Sequence, residues 1–462
     1  MAEGSTTRIA AWVEGLKLGD LSQSTREAAV KSFINYVGCT LGGISHEATE
    51  KALAAHGALQ SSSGPCSLLG SLRGLDPLQA ALVHALACHI HDYDDTHLST
   101  VIHPTAAVAS ALLAYAEAAF DHPSALSGAD FIVALTAGIE IECLLGVAVY
   151  PSHYDRGWHI TASVGSIGAA LAVGKAMKLS KEHLVNAIGI ASTQVNGMRI
   201  HFGSHSKPLG VGLAARAGLE SAYLAQAGMT AAPNSLEGPR GWIECVCPDP
   251  QSAYEKLPRF VEALYSGKGI DGDGKTETEK NTFKPYPCGI VIHPIIDGCS
   301  QLRNEGVKAE EVQSIELTVH PLVLELTGKK NPVDGLQAKF SVYFGAASGL
   351  LFGKATPAEY SDEIVQQTAE LRSKISATID KSMRRDECKI LVQTKSGTHQ
   401  KHVEHAVGSL AKPMSDDQFR QKFVDQVEPQ IGLDSTERLY SSLGKILEAD
   451  NVMDVVYAAN IK

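Results

Sequence analysis

"DFIVALTAGIEIECLLGVAVY", residues 130–150, is apolar on every side of a helical wheel except at Glu140 and Glu142. A helix without a polar stripe has no face to offer to water, so this one is expected at the centre of a helical bundle, with its two carboxylates paired or snorkelling. The segments on either side fit the same picture. "TASVGSIGAALAVGKAMKL" (161–179) brings together Gly165, Gly168, Ala169 and Ala170, a surface small enough for a second helix to come close. "STREAAVKSFINYVGCTLGG" (24–43) carries Val30, Phe33, Ile34, Val37 and Leu41 at helical spacing, with Ser24 and Glu27 as a capping box and Gly42-Gly43 as the stop. Residues 104–119 and 208–228 read as two further helices.

The pattern changes at "YSGKGIDGDGKTETEKNT" (265–282), which reads as an exposed linker rich in Gly, Asp and Lys. Beyond it, Ile315, Leu317 and Val319 alternate with polar neighbours in "VQSIELTVH" (312–320), the mark of a half-buried strand. "CKILVQTKSGTHQKHVEH" (388–405) reads as a hairpin turning at Ser396-Gly397, and residues 336–353 and 357–380 read as helical, so this part is α+β. Ser415 is a good N-cap for "DDQFRQKFVDQV" (416–427), from which helices run on to 459 and are expected to pack back on the first part.

Bulk properties narrow the functions. A chain of 462 residues exceeds one ordinary core, so two domains, or one with a large insertion, are expected. Its net charge of -11 argues against nucleic acid and anionic membrane surfaces as partners, since both need a basic face. The start "MAEGSTTRIAAWVEGLKLGD" has no basic segment followed by an apolar one, so a cytoplasmic location is expected. The nine cysteines are scattered, apart from Cys245-Val-Cys247, and read as reduced thiols rather than a disulfide framework.

Three residues share one local context: His103, Lys207 and His293 each precede a proline (Pro104, Pro208, Pro294) that opens a helical segment, and His159 stands just before another. Helix starts carry unpaired N–H groups and partial positive charge. Converging, they would form an anion pocket inside an acidic protein, suited to a small organic acid with several charges. The stretch "HIHDYDDTHLSTVIHP" (89–104) leaves three readings open. A metal site would need distant partners, because His89, His91 and Asp92 are crowded along the chain. A polar loop would use its Asp residues as helix caps. A proton-transfer site would set a carboxylate beside a histidine to hold its tautomer.

This stretch, with "GWHITASVGSIGAA" (157–170), "HSKPLGVGLAARAG" (205–218) and "FKPYPCGIVIHP" (283–294), resembles in order and spacing the motifs of the MmgE/PrpD family. That family includes 2-methylcitrate dehydratase, cis-aconitate decarboxylase and iminodisuccinate epimerase. The resemblance implies a mainly α protein: a large helical-bundle domain from residues 1–267 and 410–462, and an inserted α+β lid domain from 268–409. It further implies a homodimer, and catalysis without metal or organic cofactor.

By motif position, Asp92 and Thr96 fall on the family's acidic loop, His103 and His159 on its catalytic histidines, and Lys207 and Lys284 on its carboxylate-binding cations. Tyr154 and His293 are expected to add substrate contacts. Two positions depart from the pattern: Gly289 stands where decarboxylases have a histidine, and Gly210 where the family usually has one. The implied activity is a lyase on a small di- or tricarboxylic acid, moving a proton next to a carboxylate. An epimerase in the same pocket and a non-catalytic carboxylate binder are the alternatives.

Overall fold

The computed structural model describes residues 3–59, 64–71, 73–120 and 125–459. Helix makes up 61% of it, and the strands lie in small sheets. The helices that carry the site are α1 (Gln23–Gly43), α2 (Pro77–Ile90), α3 (Pro104–Ala118), α4 (Gly128–Val149), α5 (Ile160–Ala176) and α6 (Ser206–Gln226).

Helix α4 is the central one that its apolar sequence calls for. It is long and apolar enough to cross a membrane, but its apolar window is 94% buried inside the protein. It touches α5 at bare backbone: a Cβ on Gly138 would lie 2.8 Å from the Gly168 carbonyl oxygen, and one on Gly168 would lie 3.0 Å from that of Gly138. The glycines therefore set the spacing of the two helices. The two carboxylates of α4 part company. Glu140 accepts from the backbone N–H groups of Glu277 (3.0 Å) and Thr278 (2.7 Å). Glu142 neither snorkels nor pairs among the described residues. It is fully buried against Gly165 and Gly168, and burial holds its carboxyl well above the usual range, so it packs as a neutral acid.

Helix α1 starts two residues earlier than the capping-box reading: Ser22, not Ser24, is the N-cap, accepting from the Thr25 N–H at 3.0 Å. Its far face takes the returning tail. Helix α7 (Asp416–Ile431) is capped by Ser415 and buries Phe419, Phe423, Val427 and Ile431 in the same core as Phe33 and Val37. Each such side chain contributes about 1.5–3 kcal/mol of burial. A Cβ on Gly38 would sit 2.9 Å from the Phe423 ring, so glycine permits this contact too.

Residues between 288 and 403 build a separate apolar core around a four-stranded sheet. Strand β1 (Val312–Val319) lies between β2 (Ile375–Ile379), parallel to it, and β3 (Cys388–Thr394), antiparallel; β4 (Thr398–Val403) pairs with β3 at the edge. Ile315, Leu317 and Val319 point into that core, under helices His293–Asn304 and Val342–Phe352. The hairpin turns at Ser396-Gly397 as its sequence implies. Strand β2 corrects the helical reading of 357–380. The helices there are short and end at Ser373, and Ile375, Ala377 and Ile379 then alternate with Ser376 and Thr378 against β1.

The linker reading is half right. Residues 267–275 are mostly exposed, but Glu277, Thr278, Lys280, Asn281 and Thr282 are buried. Asn281–Thr282 forms a short antiparallel ladder with Thr96–His97.

Candidate active site

The loop 91–103 is held at both ends and in the middle. Helix α2 begins with Asp76 as N-cap, accepting from Gln79 N–H at 3.0 Å, and ends where Asp92 turns the chain with φ 51°. Left-handed backbone is tolerated by Asp; Val101, farther along at φ 57°, is β-branched and strained there. His97 bonds Thr100 Oγ1 (2.8 Å) and Glu277 Oε2 (2.9 Å). Asp95 accepts from Thr105 at the start of α3 and from Asn281 Nδ2. From the tail, Lys422 donates to Tyr93 O at 2.8 Å. The polar-loop reading thus holds for Asp95 and His97, which cap and brace.

The other half of the loop faces a small cavity of about 50 Å³ that opens to solvent. Asp92, Thr96, His103, Tyr154, His159, Lys207 and Lys284 all line it, so seven residues named from sequence come together. His103 is the N-cap of α3 and His159 that of α5, while Lys207 lies within the first turn of α6. Three helix starts therefore converge. Lys207 Nζ stands 2.5 Å from Asp92 Oδ1, beside the stacked Phe202 and Phe340 rings, 5.4 and 5.3 Å from their centres. Lys284 Nζ lies 3.1 Å from Asp92 Oδ2 and donates to Asp92 O (2.9 Å) and Cys288 O (3.1 Å). Burial alone would raise the Asp92 carboxyl, but the two ammoniums outweigh it and hold it well below the usual range. The Thr96 hydroxyl, buried on the wall, has no protein partner among the described residues and is free for a ligand.

Behind this pair sits a second carboxylate. Asp94 Oδ2 is 2.7 Å from His89 Nδ1, and Asp94 Oδ1 is 3.1 Å from His103 Nδ1. Neither atom of this second contact has an aligned hydrogen-bond partner among the described residues, so Asp94 acts on His103 mainly through its charge. The His89 ring lies 4.6 Å from that of His103 and 5.6 Å from that of His159. Burial lowers all three histidines, His89 to about 4 and His159 well below its ordinary value, despite the carboxylates. They are neutral near pH 7 and can accept a proton; a bound anion would push them upward.

His293 departs from its expected role. It starts helix His293–Asn304, buried with its ring edge-on to Tyr286 at 5.4 Å, and it does not line the cavity. Burial lowers it to about 3, consistent with a core residue. Gly289 is on the wall, whereas Gly210 faces Asn196, Ala162 and Gly197 away from it. Arg199 lies 3.9 Å over the Tyr154 ring and pairs with Glu325 at 2.8 Å; Arg156 is exposed.

Spacing along the chain misleads on metal. The loop folds back so that donor atoms of His89, Asp92, Asp94 and His103 lie within 4.8 Å of one another. Yet both Asp92 oxygens carry an ammonium, and Asp94 is shared by two imidazoles, so a cation there would have to displace Lys207 and Lys284. The geometry is that of an anion and proton site.

Residues 7–255 match the MmgE/PrpD N-terminal domain and residues 286–441 the MmgE/PrpD C-terminal domain. Human cis-aconitate decarboxylase is 26% identical over 95% of this chain and 91% of its own length. The cis-aconitate decarboxylase of Aspergillus terreus (strain NIH 2624 / FGSC A1156) is 30% identical over 78% of this chain and 74% of its own. The 2-methylcitrate dehydratase of Escherichia coli (strain K12) is 21% identical over 68% and 65%.

Proposed function

The chain belongs to the MmgE/PrpD family, and from that premise we propose that it is a lyase acting on a small di- or tricarboxylic acid without metal or organic cofactor. The observation that carries the reading is the double ion pair at Asp92, with two lysines and two neutral histidines on one cavity wall. Lys207 and Lys284 take a substrate carboxylate and stabilise the negative charge that grows on the adjacent carbon. In dehydration, His103 or His159 accepts the proton from that carbon and the neighbouring hydroxyl leaves as water. In decarboxylation, the bond to a carboxylate breaks, carbon dioxide leaves, and a histidine raised by the bound anion returns a proton to carbon. Asp94, 3.1 Å from His103 Nδ1, favours the imidazolium form through its charge. A homodimer in the cytoplasm is part of the same proposal.

Incubation with cis-aconitate, 2-methylcitrate and iminodisuccinate in deuterated water, followed by proton NMR, tests it. A new alkene product supports the lyase. Deuterium exchange without net product supports an epimerase instead. No change with any of the three acids supports a non-catalytic carboxylate binder, the reading that Gly289 keeps in play.

A further inference from the structure

His89 stands behind the cavity rather than on its wall, yet its ring meets both imidazoles there. It lies edge-on to His103 at 4.6 Å and stacks on His159 at 5.6 Å. His89 sits in the last turn of α2 and is 1% exposed. Its Nδ1 makes a 2.7 Å hydrogen bond to Asp94 Oδ2. An ionised carboxylate only accepts, so the proton in that bond belongs to Nδ1. Nε2 is buried with no partner among the described residues, and burial lowers the ring to about 4, so it is neutral near pH 7. His89 is therefore placed to hold a neighbour rather than to react.

That neighbour is a charge. Asp94 is fully buried, and among the described residues the bond from His89 is its one hydrogen bond, since His103 Nδ1 at 3.1 Å is out of line. Lys207 on α6 and Lys422 on α7 act on it from farther off, and Asp95 opposes them. His103 is faced in turn by Asp92, 3.7 Å from its Nε2, by Lys284 and by neutral His159. Two ammoniums already match Asp92, so Asp94 is the negative charge left to balance an imidazolium at His103. A buried carboxylate without a donor takes up a proton instead of staying charged.

We propose that His89 is a positioning residue: by donating from Nδ1 it holds Asp94 as a charged carboxylate beside His103. When His103 accepts a proton, the imidazolium then forms next to a negative charge already in place. The use of that charge in turnover rests on the reading of the cavity as a proton-transfer site; the hold of His89 on Asp94 does not.

Difference infrared spectroscopy of the full chain at neutral pH reads the carboxyl without relying on turnover, because a protonated carboxyl absorbs apart from a carboxylate. His89→Phe and His89→Leu remove the donor; His89→Asn keeps one near the place of Nδ1. Either donorless variant that folds by circular dichroism should gain one protonated-carboxyl band, and that band should vanish when Asp94→Asn is added. His89→Asn should gain none. With an acid that the protein converts, the donorless variants should lose about 10–10²-fold in kcat with KM little changed, and His89→Asn should restore most of it. A folded donorless variant with no new band means that Asp94 keeps its charge unaided, and overturns the proposal. A new band with kcat unchanged overturns the part of His89 in the reaction. A parent that converts none of the acids overturns the lyase reading instead, and the band still decides whether His89 holds the charge.

Discussion

Lys339 Nζ donates to the carbonyl oxygen of His91, 3.0 Å away, and so reaches from the α+β part of the chain to the residue before Asp92. Its other bond, to Pro287 O at 3.0 Å, holds the segment that carries Lys284. One buried ammonium thus fixes both sides of the Asp92–Lys284 pair. Burial, only partly offset by Asp92, lowers Lys339 to about 7.

The sign of the resulting pH dependence is definite. Between pH 7 and the ordinary lysine value of about 10.4, the unfolded chain holds a proton at this position that the folded chain lacks. The contribution of Lys339 to stability therefore rises with pH across that window, from its least favourable value below pH 7. Thermal melts of the parent and Lys339→Met from pH 6.5 to 9.5 should show the parent gaining several degrees on the variant. A constant difference would mean that Lys339 keeps an ordinary affinity for its proton.

Lys207→Ala should cost about 10²–10³ in kcat/KM, the scale of losing one preorganised charge at the reacting group. The protein should remain folded by circular dichroism, because Asp92 keeps Lys284 at 3.1 Å. Stability should still drop, by less than the roughly 3–5 kcal/mol expected when a buried charge loses every partner. A rate equal to the parent's would remove Lys207 from the mechanism.

His103→Asn separates chemistry from binding. Asn is a good residue ahead of α3, and it retains a hydrogen-bonding side chain next to Asp94, so stability should change little. Turnover should fall about 10²–10⁴-fold while the dissociation constant for a carboxylate ligand changes far less. Equal losses in both would make His103 a binding residue and move the proton to His159.

Dialysis against a strong chelator should leave turnover intact, since Lys207 and Lys284 occupy the Asp92 oxygens that a metal would need. Activity lost in this way and restored by one added divalent ion would reassign the His89, Asp92, Asp94 and His103 cluster as a metal centre.

The central helix, the sheet's first strand and seven wall residues were legible because each is local: a period, a helix start, a motif. Lys339 was not. It sits in "QAKFSVYF" (337–344) with no motif around it, and its role comes from carbonyls that folding brings to it. His293 misled for a related reason, since a histidine before proline marks a helix start but not the direction its ring takes. Strand β2 had its signal, Ile375, Ala377 and Ile379 in alternation, but five residues beside short helices are easily absorbed into them. The polar stretch 276–282 looked solvated because its partners, Glu140, His97 and Asp95, lie far away in sequence.

That buried stretch also leads to an expected order of events during folding. The ladder between Thr96–His97 and Asn281–Thr282 joins residues 184 and 186 positions apart, and closing so long a loop is entropically costly until the helices between are in place. Before it closes, Thr96 and Lys284 have no fixed relation, and a chain that already has its helices has no competent pocket. On refolding from denaturant, the far-ultraviolet helical signal should return first and ligand binding afterwards, so that activity reports the last stage of assembly.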